Sequence, residues 1–504
     1  MPVDKEEHKP SSDQLARSVK KGAVWTFLGR FLVFLINMGG SIVIARLLEP
    51  EDFGVFGIAL LFTGLATRFG NVGFGLALVQ REEIEDAHVS SLFVVNLCLF
   101  STIAVLLMWL SPEIGVYFDS PKTGEVLFVL AFLFFLKPFS SVARALLQRK
   151  MAFKSTAIAG SLQHFLGVLS AIVLAWHGFG VWSLVYAELV GASVSLVVLM
   201  MYAKWRPSFS YHHRAMKDLY AFGIAIFFKR ILTYGADKVD FLIIGKRLGT
   251  APLGFYEKAY NLMNMTIKEL GDKMEPVLFR AFSKIQNDRG RILAAYNKVL
   301  LTFSLISYPI FFGLASVAPP FIFLLYGEKW MPSVIPLQIM CLSGLLRLHL
   351  KVTSIVMNAM GKVKVEAWIR MVAFVLLIVG CWIGSQWGII GVASAATIVS
   401  GILSIATTLY FGRLTQLSYL ALMRPQTAPF IASIFMYGMV LLFQNWFSDV
   451  SGAYSFPSLF LSVAVGVITY ISAFFVLRPA PVLALMKEFL VDLKPLFEKL
   501  KRSS

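Results

Sequence analysis

The sequence is short of charge, short of cysteine and nearly without the residue groupings that carry chemistry. Charged residues make up only 15% of its 504 positions, where a soluble domain would hold about a quarter. Its three cysteines, Cys98, Cys341 and Cys381, sit singly in apolar stretches, which excludes a disulfide framework and a cysteine metal cluster. The histidines, His8, His88, His164, His177, His212, His213 and His349, keep no metal-ligand spacing. No phosphate-binding loop of the GxxxxGK[ST] kind occurs, so ATP is not the direct energy source. The glycine-rich GNVGFG at 70–75 lies within an apolar stretch, where packing accounts for it. No nucleophile, base and orienting acid come together, and neither a metal nor an organic cofactor is expected. The protein is not read as an enzyme. The polar first nineteen residues exclude a cleavable signal peptide, and no segment alternates as a membrane β-strand does.

What fills the sequence instead is apolar length. Hydrophobic residues reach 57% and mean hydropathy is +0.73. Runs of about eighteen or more apolar residues recur throughout, each able to cross roughly 30 Å of hydrocarbon. The expected fold class is all-α, a polytopic membrane protein of about fourteen transmembrane helices. A cytoplasmic segment at 1–21 leads into a first lobe of six spans at 22–202, within which one span covers 124–148. A cytoplasmic linker at 203–217 precedes a second lobe of six at 218–411, which includes spans at 252–283 and 363–385. Two further spans occupy 427–477, and 478–504 reads as an amphipathic cytoplasmic tail lying on anionic lipid. The net charge of +17 resolves into basic loops on one side, such as Lys204, Arg206, Arg214 and Lys217, against the acidic EPED at 49–52 on the other. Both termini are therefore placed in the cytoplasm, and the positive charge calls for no nucleic acid.

Two features point to function. Residues two hundred positions apart match: Arg30 with Arg230, Ile44 with Ile244, Leu48 with Leu248, Gly54 with Gly254 and Ala59 with Ala259, while Arg68 falls on Lys268 and Asn37 on Asp237. This is the signature of an internal duplication. Charges also lie inside the predicted spans, where each is costly unless it faces water or a partner. Between 218 and 262 the wheel puts Lys229, Arg230, Asp237 and Asp240 on one face, with Lys238 opposite. Lys137 is a further intramembrane charge, while Arg144, Arg347 and Lys351 read as side chains that snorkel to an interface. Cations dominate. Arg30, Arg68, Lys229, Arg230, Lys258 and Lys268 form a candidate site for an anion such as a phosphate. Glu188, Asp237 and Asp240 are candidates for holding a coupling H+ or Na+, or for balancing the cations. Trp25, Tyr234, Tyr256 and Tyr260 could stack on sugar faces or pack in the walls.

Several stretches carry a resemblance: IARLLEPEDFGVFGIALLFTGLATRFGNVGFGLALVQR (44–81), RALLQRKMAFK (144–154), FGVWSLV (179–185), VDFLIIGKRLGTAPLGFYEKAYNL (239–262), GEKWMPSVIPLQIMCLSGLLR (327–347) and WGIIGVASA (387–395). Together they resemble the polysaccharide-transporter, Wzx-type branch of the MOP flippase superfamily, most of all its colanic-acid and teichuronic-acid exporters. The resemblance implies two six-helix bundles forming a V around a central cavity, with two added helices. It also implies translocation of undecaprenyl-pyrophosphate-linked oligosaccharide across the bacterial cytoplasmic membrane by alternating access, with polysaccharide polymerase machinery as a partner. Asp240 matches a position that is usually aspartate in that family. Three alternatives stay open: a lipid II-type flippase, a MATE-like exporter of small cations, whose cavity would be acidic, and a membrane polysaccharide polymerase.

Overall fold

Hydrocarbon offers a backbone no hydrogen-bond partner, so a chain this apolar must satisfy its own amides in helices or closed barrels. The computed structural model of the chain is helical, with no strand among its described residues. It describes residues 36, 38–70, 78–79, 84–214, 234–451, 454–477 and 482. Among the described residues ten helical stretches are long and apolar enough to cross a membrane. The expected first and seventh spans lie largely outside the described residues. The chain divides into two compact units, Met1–Gly235 and Ala236–Ser504.

In the first unit a short helix α1 (Met38–Leu47) turns into α2 (Pro50–Gly70). Pro50 suits the first helical position because the amide it lacks would be unpaired there. Asp52 then gathers the turn: its carboxylate accepts from Glu49 N (3.2 Å), from Val181 N (3.1 Å) and from Lys122 Nζ (3.5 Å). Next come α3 (Asp86–Tyr117), α4 (Pro121–Ala131), α5 (Leu133–Arg149), α6 (Phe153–Trp176) and α7 (Val181–Ala203). A core of Val55, Ala59, Phe100, Leu127, Phe134 and Val185 joins α2, α3, α4, α5 and α7. The single span expected at 124–148 is in fact two helices. Their junction is a tightened turn in which Phe132 N bonds Val129 O (3.2 Å) and Phe135 N bonds Phe132 O (3.1 Å). Pro138, just downstream, cannot donate to Phe134 O.

The second unit repeats this order with one insertion. Helix α8 at 234–247, which begins on the last two residues of the first unit, turns into α9 (Thr250–Ile267). The span expected at 252–283 is interrupted. A π-turn occupies Lys268–Asp272 and the amphipathic α10 (Lys273–Lys284) follows. Pro276 has no N–H for Asp272 O, so the ladder loses a rung there and widens just ahead of it. After these come α11 (Arg289–Tyr326), α12 (Val334–Ala359), α13 (Val363–Gly384), α14 (Gly388–Thr415), α15 (Tyr419–Ser451) and α16 (Phe456–Leu477).

The turns of the two units correspond. Leu48 N bonds Ile44 O at 2.9 Å, and Leu248 N bonds Ile244 O at 2.8 Å. Left-handed residues recur in step: Asp119 and Gly327, Met151 and Gly361, Gly180 and Gly388, Lys204 and Gln416. Gly180 (φ 54°) and Gly388 (φ 68°) stand directly before α7 and α14, in a conformation that a side chain would strain. The offset of 200 residues at the first turn is 208 by Asp119 and Gly327. Between those points lie the second unit's π-turn and α10.

The extra helix α15 is fastened by a buried chain of hydrogen bonds. Tyr308 on α11 donates to Gln426 Oε1, and Gln426 Nε2 donates to His349 Nδ1 on α12 (3.1 Å). That leaves His349 Nε2–H for Thr408 Oγ1 on α14 (2.8 Å), whose own proton goes to Ser404 O (2.7 Å). Every partner in this chain is neutral, which suits a site without water.

Candidate functional site: charge inside the helices

Each unit holds one group of charged side chains on its spanning helices. In the first, Arg68 lies in the last turn of α2, its guanidinium 4.8 Å from the centre of the Tyr234 ring. The Tyr234 hydroxyl donates to Leu61 O (2.8 Å). That approach needs Gly64, where an added Cβ would stand 2.3 Å from the hydroxyl oxygen. Lys137 on α5 donates to Thr67 Oγ1 and sits 3.9 Å over the Phe134 ring. Thr67 passes its own proton to Thr63 O (2.6 Å). The charges of Glu188 and Arg68 both act on Lys137. This group thus sets two cations against one acid, and Arg68 and Lys137 are half-buried while Glu188 is exposed.

The second unit's group is larger and mixed in sign. Asp240 on α8, 2% exposed, accepts from Tyr256 Oη (2.8 Å) and from Phe241 N (3.0 Å). Lys238 places its ammonium 3.7 Å over the Phe241 ring and 5.3 Å from that of Tyr260. Glu257, Asp240, Lys268 and Asp237 all act on it. Arg347 on α12 donates from Nε to Ser400 Oγ (3.4 Å) and lies 5.7 Å from the Tyr260 ring. Asp237 is exposed and stands within the fields of Arg347 and Arg370. Arg370 on α13 pairs with Glu366 and reaches Ser354 Oγ at 3.4 Å.

The residues singled out from sequence are distributed as follows. Arg30, Lys229 and Arg230 lie outside the described residues, as does Trp25. Arg68 and Glu188 fall in the first group, Asp237 and Asp240 in the second, and Lys268 is exposed at the start of the π-turn. Asp237 and Asp240 do not share one wet face with Lys238 opposite. Packing of α8 on α9 encloses Asp240 behind Tyr256, while Lys238 reaches the charges of both acids. Lys258 is enclosed as well: it is 6% exposed, and its ammonium lies 4.7 Å and 5.1 Å from the rings of Tyr326 and Trp330. Tyr256 and Tyr260 are likewise buried wall residues, at 1% and 7% exposure.

Four residues were missed or misassigned. Lys137 was noted as an intramembrane charge but left out of the site. Arg347 reads as a snorkelling side chain in the sequence, yet it sits among Ser400, Tyr260 and the two aspartates. Arg370 and Glu257 both lie well inside predicted spans, and that position alone was the signal. Among the described residues no group of three or more His, Cys, Asp or Glu could hold a metal ion.

Comparison with known proteins fits this architecture. The lipid II flippase MurJ in an inward closed conformation superposes with a TM-score of 0.75, covering 90% of this chain and all of MurJ at 14% identity. The chain is thus a multi-pass helical membrane protein with the fold of that flippase. Residues 43–335 match the family described as polysaccharide biosynthesis protein, and the chain belongs to it. The teichuronic acid biosynthesis protein TuaB of Bacillus subtilis (strain 168) is 25% identical, over 69% of this chain and 72% of its own. The lipopolysaccharide biosynthesis protein WzxC of Escherichia coli (strain K12) is 26% identical, over 65% and 67%. These likenesses agree with the resemblance to polysaccharide transporters.

Proposed function

We propose that this protein flips a lipid-linked oligosaccharide, of the undecaprenyl-pyrophosphate kind, across the bacterial cytoplasmic membrane by alternating access. The physical task is to carry a pyrophosphate and several sugars past hydrocarbon while the polyprenyl tail stays in lipid. The observation that carries the reading is the first unit's cation pair. Arg68 and Lys137 project from spanning helices, and one exposed acid, Glu188, acts on Lys137. Guanidinium and ammonium groups so placed substitute for water around a phosphate. In the second unit Lys268, Arg347 and Arg370 are a cation set of their own, while Arg30 and Arg230 join the reading by the repeat and Lys229 by its place on the helical face of Arg230. Lys258 leaves it, because its side chain is buried where Arg68 and Lys137 are half-buried. Both termini face the cytoplasm, transport draws on an H+ or Na+ gradient, and the exported unit passes to polysaccharide polymerase machinery. Family membership supports the polysaccharide side of this reading, and the MurJ-like fold supports its mechanical side.

The test replaces Arg68 and Lys137 by Gln in a strain that depends on this protein for its surface polysaccharide. Export should fall at least tenfold with membrane levels of the protein unchanged. Wild-type export from the double variant would refute the assignment. A covalent change in the lipid-linked substrate on incubation with the purified protein would point to an enzyme.

A further inference from the structure

Resting on the reading of these groups as a phosphate site, we propose that Glu257 takes up a proton when an anionic phosphate engages Lys238. Anion binding and proton uptake would then be one event.

Glu257 stands on α9, inside the spanning part of the second unit. It hydrogen-bonds Asn261 one turn on, while its Oε2 is shut off from solvent and has no hydrogen-bond partner among the described residues. A carboxylate oxygen left in that condition is poorly solvated, and only a nearby cation makes the charge tolerable. Two cations act on Glu257, Lys238 most strongly and then Lys258. Lys258, the weaker of the two on Glu257, also stands against the rings of Tyr326 and Trp330. Lys238 is contested: from one half-buried position it serves Glu257, Asp240 and Asp237, and is repelled by Lys268. On the α12 side the charged group is Arg347, which acts on Asp237 and Asp240. Asp240 keeps two donors of its own, Tyr256 Oη and Phe241 N.

A phosphate drawn to this group competes for Lys238. Asp240 loses one partner of several, but Glu257 loses its main one. Its carboxylate then takes a proton from water, becoming a neutral acid whose new O–H sits on the oxygen that lacked a donor. Lys238 keeps its own proton and its charge throughout. A sodium ion would not serve in the proton's place. It needs a shell of several oxygens, and the groups acting on Glu257 are Asn261 and two ammonium ions.

The test uses the purified full chain in lipid nanodiscs, with inorganic pyrophosphate as probe. Infrared difference spectra of the wild type on adding pyrophosphate should show a new protonated-carboxyl band, absent from Glu257→Gln and from Lys238→Gln. Titration calorimetry in buffers of different ionisation enthalpy should count about one more proton taken up by the wild type than by Glu257→Gln. The wild-type affinity should therefore gain up to about tenfold per unit of falling pH relative to that variant, the probe's own titration cancelling between them. Pyrophosphate binding with no such band, or a band that persists in Glu257→Gln, would overturn the proposal and leave the phosphate site standing. No pyrophosphate binding by the wild type would remove the phosphate site and this proposal together. The wild-type spectrum decides even where a variant fails to fold.

Discussion

At the scale of single residues, the membrane makes each polar atom account for itself. Lys137 is kept by a hydroxyl and a ring, and Asp240 by a phenol and an amide. Replacing Tyr256 by Phe takes one of Asp240's two hydrogen-bond donors and should cost about 1–3 kcal/mol, measured as a lower unfolding temperature in detergent. Asp52→Ala unties three partners at once, among them the first amide of α7. It should cost a similar amount, about 1–2 kcal/mol as for a lost helix cap. Charge within a span was legible in the sequence, because any such residue breaks an apolar run. The partner was not. Arg347 looked able to snorkel because a helical position tells nothing of the Ser400 hydroxyl or Tyr260 ring packed beside it, and Lys258 looked open for the same reason.

At the scale of elements, hydropathy reports that a helix exists and not whether its ladder is intact. The span expected at 124–148 passed as a single helix since apolar residues continue across Phe132, whereas that expected at 252–283 turns from apolar to charged at Lys268–Asp272, a change that the reading of one long span passed over. Both interruptions precede a proline, Pro138 and Pro276, and that was the readable clue. Lys351 on α12 fastens the π-turn region through ion pairs to Asp272 and to Glu275 (2.9 Å). Lys351→Met should therefore speed amide exchange at 268–275 several-fold while exchange in α12 stays unchanged. Equal exchange in the variant and the wild type would show that the turn holds without the lysine. The close packing of helices is equally specific. A Cβ at Gly391 would stand 2.0 Å from Gly384 O, so Gly391→Ala should push α13 from α14 and lower the unfolding temperature by several degrees.

At the scale of the whole molecule, one helix order is used twice and then extended by α15 and α16. The duplication was legible only where its offset stayed at 200, from Arg30 to the end of α2. Past the second unit's insertion, recurring left-handed residues carry the correspondence, and no side-chain pattern announces those. The two units have diverged in charge: the first keeps a surplus of cations, and the second answers Lys238, Arg347 and Arg370 with Asp237, Asp240 and Glu257.

Reconstituted into proteoliposomes with lipid-linked oligosaccharide in one leaflet, the wild-type protein should deliver substrate to the opposite leaflet. Arg68→Gln with Lys137→Gln should slow that delivery at least tenfold at equal protein content. Delivery at the wild-type rate by the double variant would contradict the account at its centre.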